Sequence, residues 1–436
     1  MIGCAVPLLA GCDSMPSWMG GSPAEVKHAP GKRADVIVGD VALTADPAAA
    51  DVEVDVPEQT NLSEWRSMND AMQTPHVGLT GITNEDSAVI GDGNPFVRNV
   101  VSGPVVAEGQ VYAMDAAGVV SAHNEEKISE VLWTDTTDHQ GLETDVLGGG
   151  IAYADGVVYA TTGFGGLRAL DAKTGKPKWH INVGAPVRGA PAVSGGTVVV
   201  LAADNQTLAF DATTGAPKWE HRGIRETAGY FSNTSPVISN DVVIAVYSSG
   251  EVFALSLDTG SVLWTDTLAS SARTKASAVF SGIDADPIVQ EGVVVVTNAG
   301  GEMQASALLN GRPLWQQHIG AHTTPWSAGN VLYVLSDTHD VAAVLKRDGA
   351  IRWATSMAVM DEREVNKDRT PRLYGPILSA NAILVVDGNG LMTSFKPKTG
   401  EKISTYELAK GVVSTPVIAN GALYLITKDA KLYRYH

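Results

Sequence analysis

The feature that most constrains this chain is a repeat. A short residue followed by proline recurs at Gly103-Pro104, Ala190-Pro191, Ser235-Pro236, Asp286-Pro287, Thr324-Pro325, Gly375-Pro376 and Thr415-Pro416. An eighth start lies at Gly150-Ile151-Ala152, without the proline. The 312 residues from Pro104 to Pro416 therefore divide into units of about 45. Each unit opens on an apolar strand such as Val105-Val106, then a short turn such as Ala154-Asp155-Gly156 or Ala419-Asn420-Gly421. A second strand follows, as in Val157-Val158-Tyr159-Ala160 or Val331-Leu332-Tyr333-Val334.

The end of the unit is the most specific part. Ala169 leads to Thr174-Gly175 and Trp179, Ala209 to Thr214-Gly215 and Trp219, and Ala254 to Thr259-Gly260 and Trp264. Ala305 leads to Asn310-Gly311 and Trp315, and Ala343 to Asp348-Gly349 and Trp353. In these five units Ala to Gly is six residues and Gly to Trp is four. The first unit reaches Trp133 without the Gly, and the seventh has Ser404 in the Trp slot. A Thr-Gly or Asn-Gly step between apolar strands predicts a hairpin turn, with Gly supplying the positive φ. The Trp starts the outer strand and can wedge into a neighbouring sheet, so Trp133, Trp179, Trp219, Trp264, Trp315 and Trp353 read as blade-packing groups. A lone four-stranded sheet cannot bury both faces, so copies must stack side by side.

Short antiparallel strands, four per unit, predict an all-β fold: an eight-bladed β-propeller of four-stranded antiparallel blades. The last unit ends at Tyr435-His436, one strand short. An open edge would pair with other chains, so an N-terminal strand is expected to close the ring. Trp65, in Ser63-Glu64-Trp65-Arg66-Ser67, is the unclaimed repeat-type Trp, and residues 62–70 are expected to supply that strand.

Composition narrows the function. The formal net charge of −17 argues against nucleic acid, whose phosphates require Lys and Arg. The two cysteines, Cys4 and Cys12, leave none in the folded body for a disulfide framework or a thiolate metal site. No apolar run reaches the length of a spanning helix. His318 and His322 have a zinc-like spacing but straddle Gly320 ahead of a strand. Asp387-Gly388-Asn389-Gly390 suggests a Ca²⁺ loop but falls where every unit has an inner hairpin turn. Asp284 and Asp286 flank a step proline and could form a carboxylate pair, with nothing nearby to mark a substrate. No catalytic, metal or cofactor-binding residue is assigned.

The repeat A-[LF]-D-x-x-T-G-x-x-x-W resembles the pyrroloquinoline-quinone-type (PQQ-type) propeller repeat. Eight such units behind an N-terminal lipid signal resemble the BamB-like family of outer-membrane assembly lipoproteins, over roughly residues 62–436. The resemblance implies a non-enzymatic scaffold of the β-barrel assembly machinery. Its partner would be a BamA-like barrel-assembly protein, contacted through periplasmic POTRA domains, with unfolded outer-membrane proteins as a further ligand. It would act as a monomer within a complex. PQQ-type repeats also build quinoprotein dehydrogenases, which cap their cofactor with a disulfide between adjacent Cys; this body has no Cys. A PQQ-dependent dehydrogenase and a periplasmic sensor or interaction propeller remain the alternatives.

Rigid scaffolds place partner contacts on their loops. Non-repeat residues concentrate in 222–234, 265–284 and 357–374. Within them Arg225, Tyr230, Phe231, Phe280 and Asp284 have hot-spot chemistry. The resemblance implies contacts in the first two loops. The family's Leu-x-Leu-Arg stretch is replaced by Ala228-Gly229-Tyr230-Phe231, and of its Asp-x-Asp only Asp284 is kept, in Gly282-Ile283-Asp284.

The N-terminus divides from the body. Residues 1–12 end in Leu9-Ala10-Gly11-Cys12, which resembles a bacterial lipobox and implies lipidation of Cys12. With no basic n-region, a start further upstream is expected. Residues 13–60 read as an acidic flexible tether, and 61–436 as the propeller. The expected location is the periplasmic face of the outer membrane, lipid-anchored; Asp13, next to the Cys, leaves inner-membrane retention open.

Overall fold

The computed structural model describes residues 42–71, 74–91, 102–136, 149–225, 234–268, 282–298, 300–357 and 371–436. Eight four-stranded antiparallel sheets follow one another along the chain. In seven of them the strands pair in sequence order, from an innermost strand such as Val105–Ala107 to an outermost strand such as Val131–Asp135. The first two strands of a blade meet in tight turns. Asp155 and Gly156 both take left-handed conformations, with φ of 48° and 77°, the geometry that matches the twist of the flanking strands.

The Thr-Gly turns and the Trp residues meet across blades. The Trp133 indole lies against Gly175 of the next blade, where a Cβ would stand 2.6 Å from the ring. The same contact joins Trp179 to Gly215, Trp219 to Gly260, Trp264 to Gly311, Trp315 to Gly349 and Trp353 to Gly400. Each indole Nε1 also donates to a carbonyl beside that turn: Ala172, Ala212, Leu257, Leu308, Lys346 and Pro397 in order, at 2.6–3.0 Å. The apolar core accordingly lies between blades. Separate buried clusters straddle the joints of blades one and two, two and three, three and four, and four and five. A larger cluster runs through blades five to eight and into blade one.

The ring is closed by an N-terminal strand, but not by residues 62–70. Glu85–Val89 forms the outer strand of blade eight, with Glu85 opposite Tyr435 and Val89 opposite Lys431. Only Ala88 of this strand is buried. Asp86 approaches Arg434 at 3.6 Å. A strand that buries one small side chain needs no apolar alternation, which is why its sequence is mute.

Trp65 goes elsewhere. It exchanges both backbone hydrogen bonds with Val106, at 2.8 and 2.9 Å, on the innermost strand of blade one. Its ring stacks on Trp326 of blade six, with centroids 6.1 Å apart. The Trp326 indole donates to the Pro75 carbonyl. Trp65 is therefore a plug at the axis rather than a blade-joint group.

Residues 43–55, expected as part of a tether, are bonded to blade six, and Glu53 also pairs with Lys398 of blade seven. The Leu43 amide donates to Asp340 at 2.7 Å, the Asp46 amide to the Ile351 carbonyl, and Arg352 to the Val52 carbonyl. Asn330 clasps the backbone of Glu53 and Asp55, both at 2.9 Å. Ala49 and Val54 are buried. Beyond this strap the chain crosses the axis. The buried His76 ring donates from Nδ1 to the Pro57 carbonyl and accepts at Nε2 from the Asn381 amide. Val77 bonds to blade seven and Thr80 to Gly421 of blade eight.

Candidate functional site

The innermost strand of each blade is a sheet edge, so proline at its first residue costs no ladder bond. The residues around the short-Pro steps instead bond laterally from blade to blade. The Ile151 amide donates to Ser102 Oγ at 3.3 Å, the Ser235 amide to Asp286 Oδ1 at 2.6 Å, and the Asp286 amide to Thr324 Oγ1 at 3.1 Å. These steps from all eight blades surround an axial cavity of about 490 Å³.

The cavity has a floor and a rim. The floor is Trp65, Ser67, Met68 and Asp70, on the segment that crosses the inner hairpin turns. The opposite mouth opens where the inter-blade segments enter, and there it is lined by Asp284, His322 and Arg372. His322 Nδ1 lies 3.0 Å from Asp284 Oδ2; the histidine side chain is 42% exposed and the carboxylate 9%. Asp284 Oδ1 has no hydrogen-bond partner among the described residues. Burial pushes the Asp286 carboxyl up to about 7, against the smaller opposing pull of the Ser235 amide. The mouth thus holds a solvent-facing imidazole over one carboxylate, and a second carboxyl below whose burial raises it to about 7.

The residues singled out in the sequence are dispersed. Cys12, Tyr230, Phe231 and Phe280 lie outside the described residues. Arg225 is exposed at the point where the chain leaves the outer strand of blade three, beside Ile224 at 64% exposure. Asp284 sits at the axial rim, not on an outer loop surface. His318 and His322 serve different carboxylates, Glu302 at 2.8 Å and Asp284 at 3.0 Å. Asp387 Oδ1 accepts from the Asn389 and Leu391 amides and so shapes a turn. Among the described residues no three His, Cys, Asp or Glu groups stand close enough to hold a metal ion. His322 and Arg372 were not singled out as rim groups. A signal for the first existed: His322 and Asp284 both stand three residues before a step proline, at one repeat position.

The comparisons with known proteins decide the family. The family described as "Outer membrane protein assembly factor BamB" matches residues 116–355, more than half of the chain. The chain belongs to the BamB family. The BamB of Salmonella typhimurium is 25% identical over 335 residues, 76% of this chain and 83% of that protein. The crystal structure of BamB from Moraxella catarrhalis aligns with a TM-score of 0.63 at 19% identity, covering 86% of this chain and 99% of that one. A quinohemoprotein alcohol dehydrogenase from Comamonas testosteroni aligns with a TM-score of 0.61 at 16% identity, covering 85% and 80%. Likenesses at such identities show the fold alone. The BamB-family match runs from blade one to blade six and contains both Asp284 and His322. Among the described residues no helix is long and apolar enough to cross a membrane.

Proposed function

We propose that this BamB-family chain is a non-enzymatic scaffold of outer-membrane β-barrel assembly. Lipidated Cys12 holds it at the periplasmic face of the outer membrane. Its loop face docks the periplasmic POTRA domains of a BamA-like protein. The observation that carries this reading is the asymmetry of the axis. The strap and plug cover the hairpin-turn end, whereas the mouth end is where the chain passes from each outer strand to the next blade. There Asp284 Oδ1 is buried and has no hydrogen-bond partner among the described residues. A carboxylate at the rim suits an Arg or Lys from a partner, since charge-assisted hydrogen bonds are the strong ones.

Capture of the partner's periplasmic domains by purified variants tests the reading. Asp284→Ala, and Tyr230→Ala with Phe231→Ala, should each weaken capture by about 1–3 kcal/mol. Unchanged capture by both variants would remove the loop face from the interface.

A second mode of partner contact has its own observation. The outer strand of blade seven, Lys402–Glu407, is exposed at all six residues and lacks the repeat Trp. Such an edge can take an added strand. Crosslinking from Ile403 to unfolded outer-membrane protein supports this mode, and its absence under conditions where the loop face crosslinks removes it. The dehydrogenase alternative rests on fold likeness; dye reduction driven by an alcohol or sugar with added PQQ and Ca²⁺ would establish it over the scaffold reading.

A further inference from the structure

Three blades share one row of side chains across their inner sheet. Tyr112, Ala122 and Trp133 stand opposite one another in blade one, as do Tyr159, Ala169 and Trp179 in blade two, and Tyr333, Ala343 and Trp353 in blade six. In the first two, the phenol and the indole donate to the same carbonyl of the next blade. Tyr112 and Trp133 reach the Ala172 oxygen at 3.4 and 2.8 Å; Tyr159 and Trp179 reach the Ala212 oxygen at 3.2 and 3.0 Å.

Blades three, four and seven carry Val199, Ile244 and Leu384 at the phenol position, and blade five likewise lacks the phenol. Its members are Val295, Ala305 and Trp315. The Trp315 indole still donates to the matching carbonyl, that of Lys346, at 2.6 Å. The position of the phenol is taken by a valine. A cavity of about 480 Å³ lies at this joint, walled by Val295, Trp315, Leu332 and Leu345. That volume falls within the range of small-molecule sites. Its polar end is already organised: Gln290 Oε1 accepts from Ser327 Oγ and from Lys346 Nζ, the latter at 3.0 Å. The strap borders the cavity with Val52 and Asp55, held there by Asn330.

We propose that the joint between blades five and six is a binding site for a small phenol. The ring packs beside Trp315, where an offset or edge-on aromatic contact is favourable. The hydroxyl donates to the Lys346 carbonyl, the counterpart of the Ala172 and Ala212 carbonyls that accept from tyrosine in blades one and two. The chain itself supplies the template for the ligand: a tyrosine side chain without its backbone is p-cresol.

The full chain labelled with fluorotryptophan and titrated with p-cresol tests this. The Trp315 resonance, assigned by its loss in Trp315→Phe, should shift saturably at millimolar ligand while the other indoles stay still. Toluene, lacking the donor, should bind roughly fivefold more weakly. Val295→Tyr should abolish the shift and raise the melting temperature, because the chain then fills its own site. Should Val295→Tyr fail to fold, Val295→Leu gives partial occlusion and a correspondingly weaker affinity. No saturable shift at Trp315, equal binding of toluene, or a shift that survives the occluding substitution would each overturn the proposal.

Discussion

Gly260 meets two demands at once. Its φ of 68° lies in the left-handed region, and a Cβ there would stand 2.6 Å from the Trp219 ring. Gly156 meets only the first: its φ is 77°, and nothing lies within 4 Å of its Cβ position. Gly156→Ala should therefore cost about 1 kcal/mol, the conformational term alone. Gly260→Ala should cost about 2–4 kcal/mol, because the indole must also move. Urea unfolding at constant m-value measures both, and equal midpoints would contradict the packing role of the turn. The joint was legible in the sequence because turn and indole recur at one spacing. The axial site was not: Asp284 and His322 are 38 residues apart and meet only through the ring.

Asp286 belongs to the same scale. Its folded carboxyl titrates near 7, above its ordinary value of 3.8, so folding favours the protonated form. Its contribution to stability is full below pH about 4 and is lost as pH rises to about 7. Asp286→Asn, which keeps an acceptor for the Ser235 amide, removes that loss. The melting temperature of the variant relative to the parent should climb between pH 4 and 7 and level off above. A difference independent of pH would contradict the burial of this carboxyl.

Among the elements, the N-terminal segment does three jobs that its composition conceals. Residues 43–56 strap blades six and seven, 57–80 close one end of the axis, and Glu85–Val89 completes blade eight. The closing strand reads Glu-Asp-Ser-Ala-Val, with neither alternation nor an aromatic residue. Its pairing is dictated by the bare edge of Lys431–Tyr435 rather than by its own pattern. Trp65 misled in the opposite direction, since an isolated Trp near a strand-deficient unit carries no turn Gly to place it. Three truncations separate the jobs. Removing residues 1–41 should leave the melting temperature unchanged. Removing 1–82 strips the strap and plug, including the buried Trp65, Val54 and Val77, and should cost several kcal/mol. Removing 1–91 also exposes the Lys431–Tyr435 edge and should add concentration-dependent aggregation. If the last two truncations behave alike, the closing strand does not seal the ring. Trp65→Ala in the intact chain should cost about 3–5 kcal/mol by thermal or urea unfolding.

At the scale of the whole molecule, a propeller closed by its own N-terminal strand has two unlike ends. One is overlaid by strap and plug; the other presents the inter-blade segments around a carboxylate-lined mouth. An excess of acidic over basic groups, −17 overall, favours solubility and an electropositive partner surface. The repeat made the blade count readable, because most blades repeat the same turn and the same wedge. Which end of the axis is left uncovered was not readable, because it depends on where the non-repeat segment folds back. Photo-crosslinking in intact cells, followed by mass spectrometry of the captured protein, tests this division most directly. Photoreactive residues would replace Arg225 and His322 at the loop end, and Glu53, with an 84% exposed side chain, on the strap. The account predicts that the two loop-end positions trap a barrel-assembly protein and that position 53 does not. Capture from position 53 alone, or no barrel-assembly protein from either loop-end position, would contradict it.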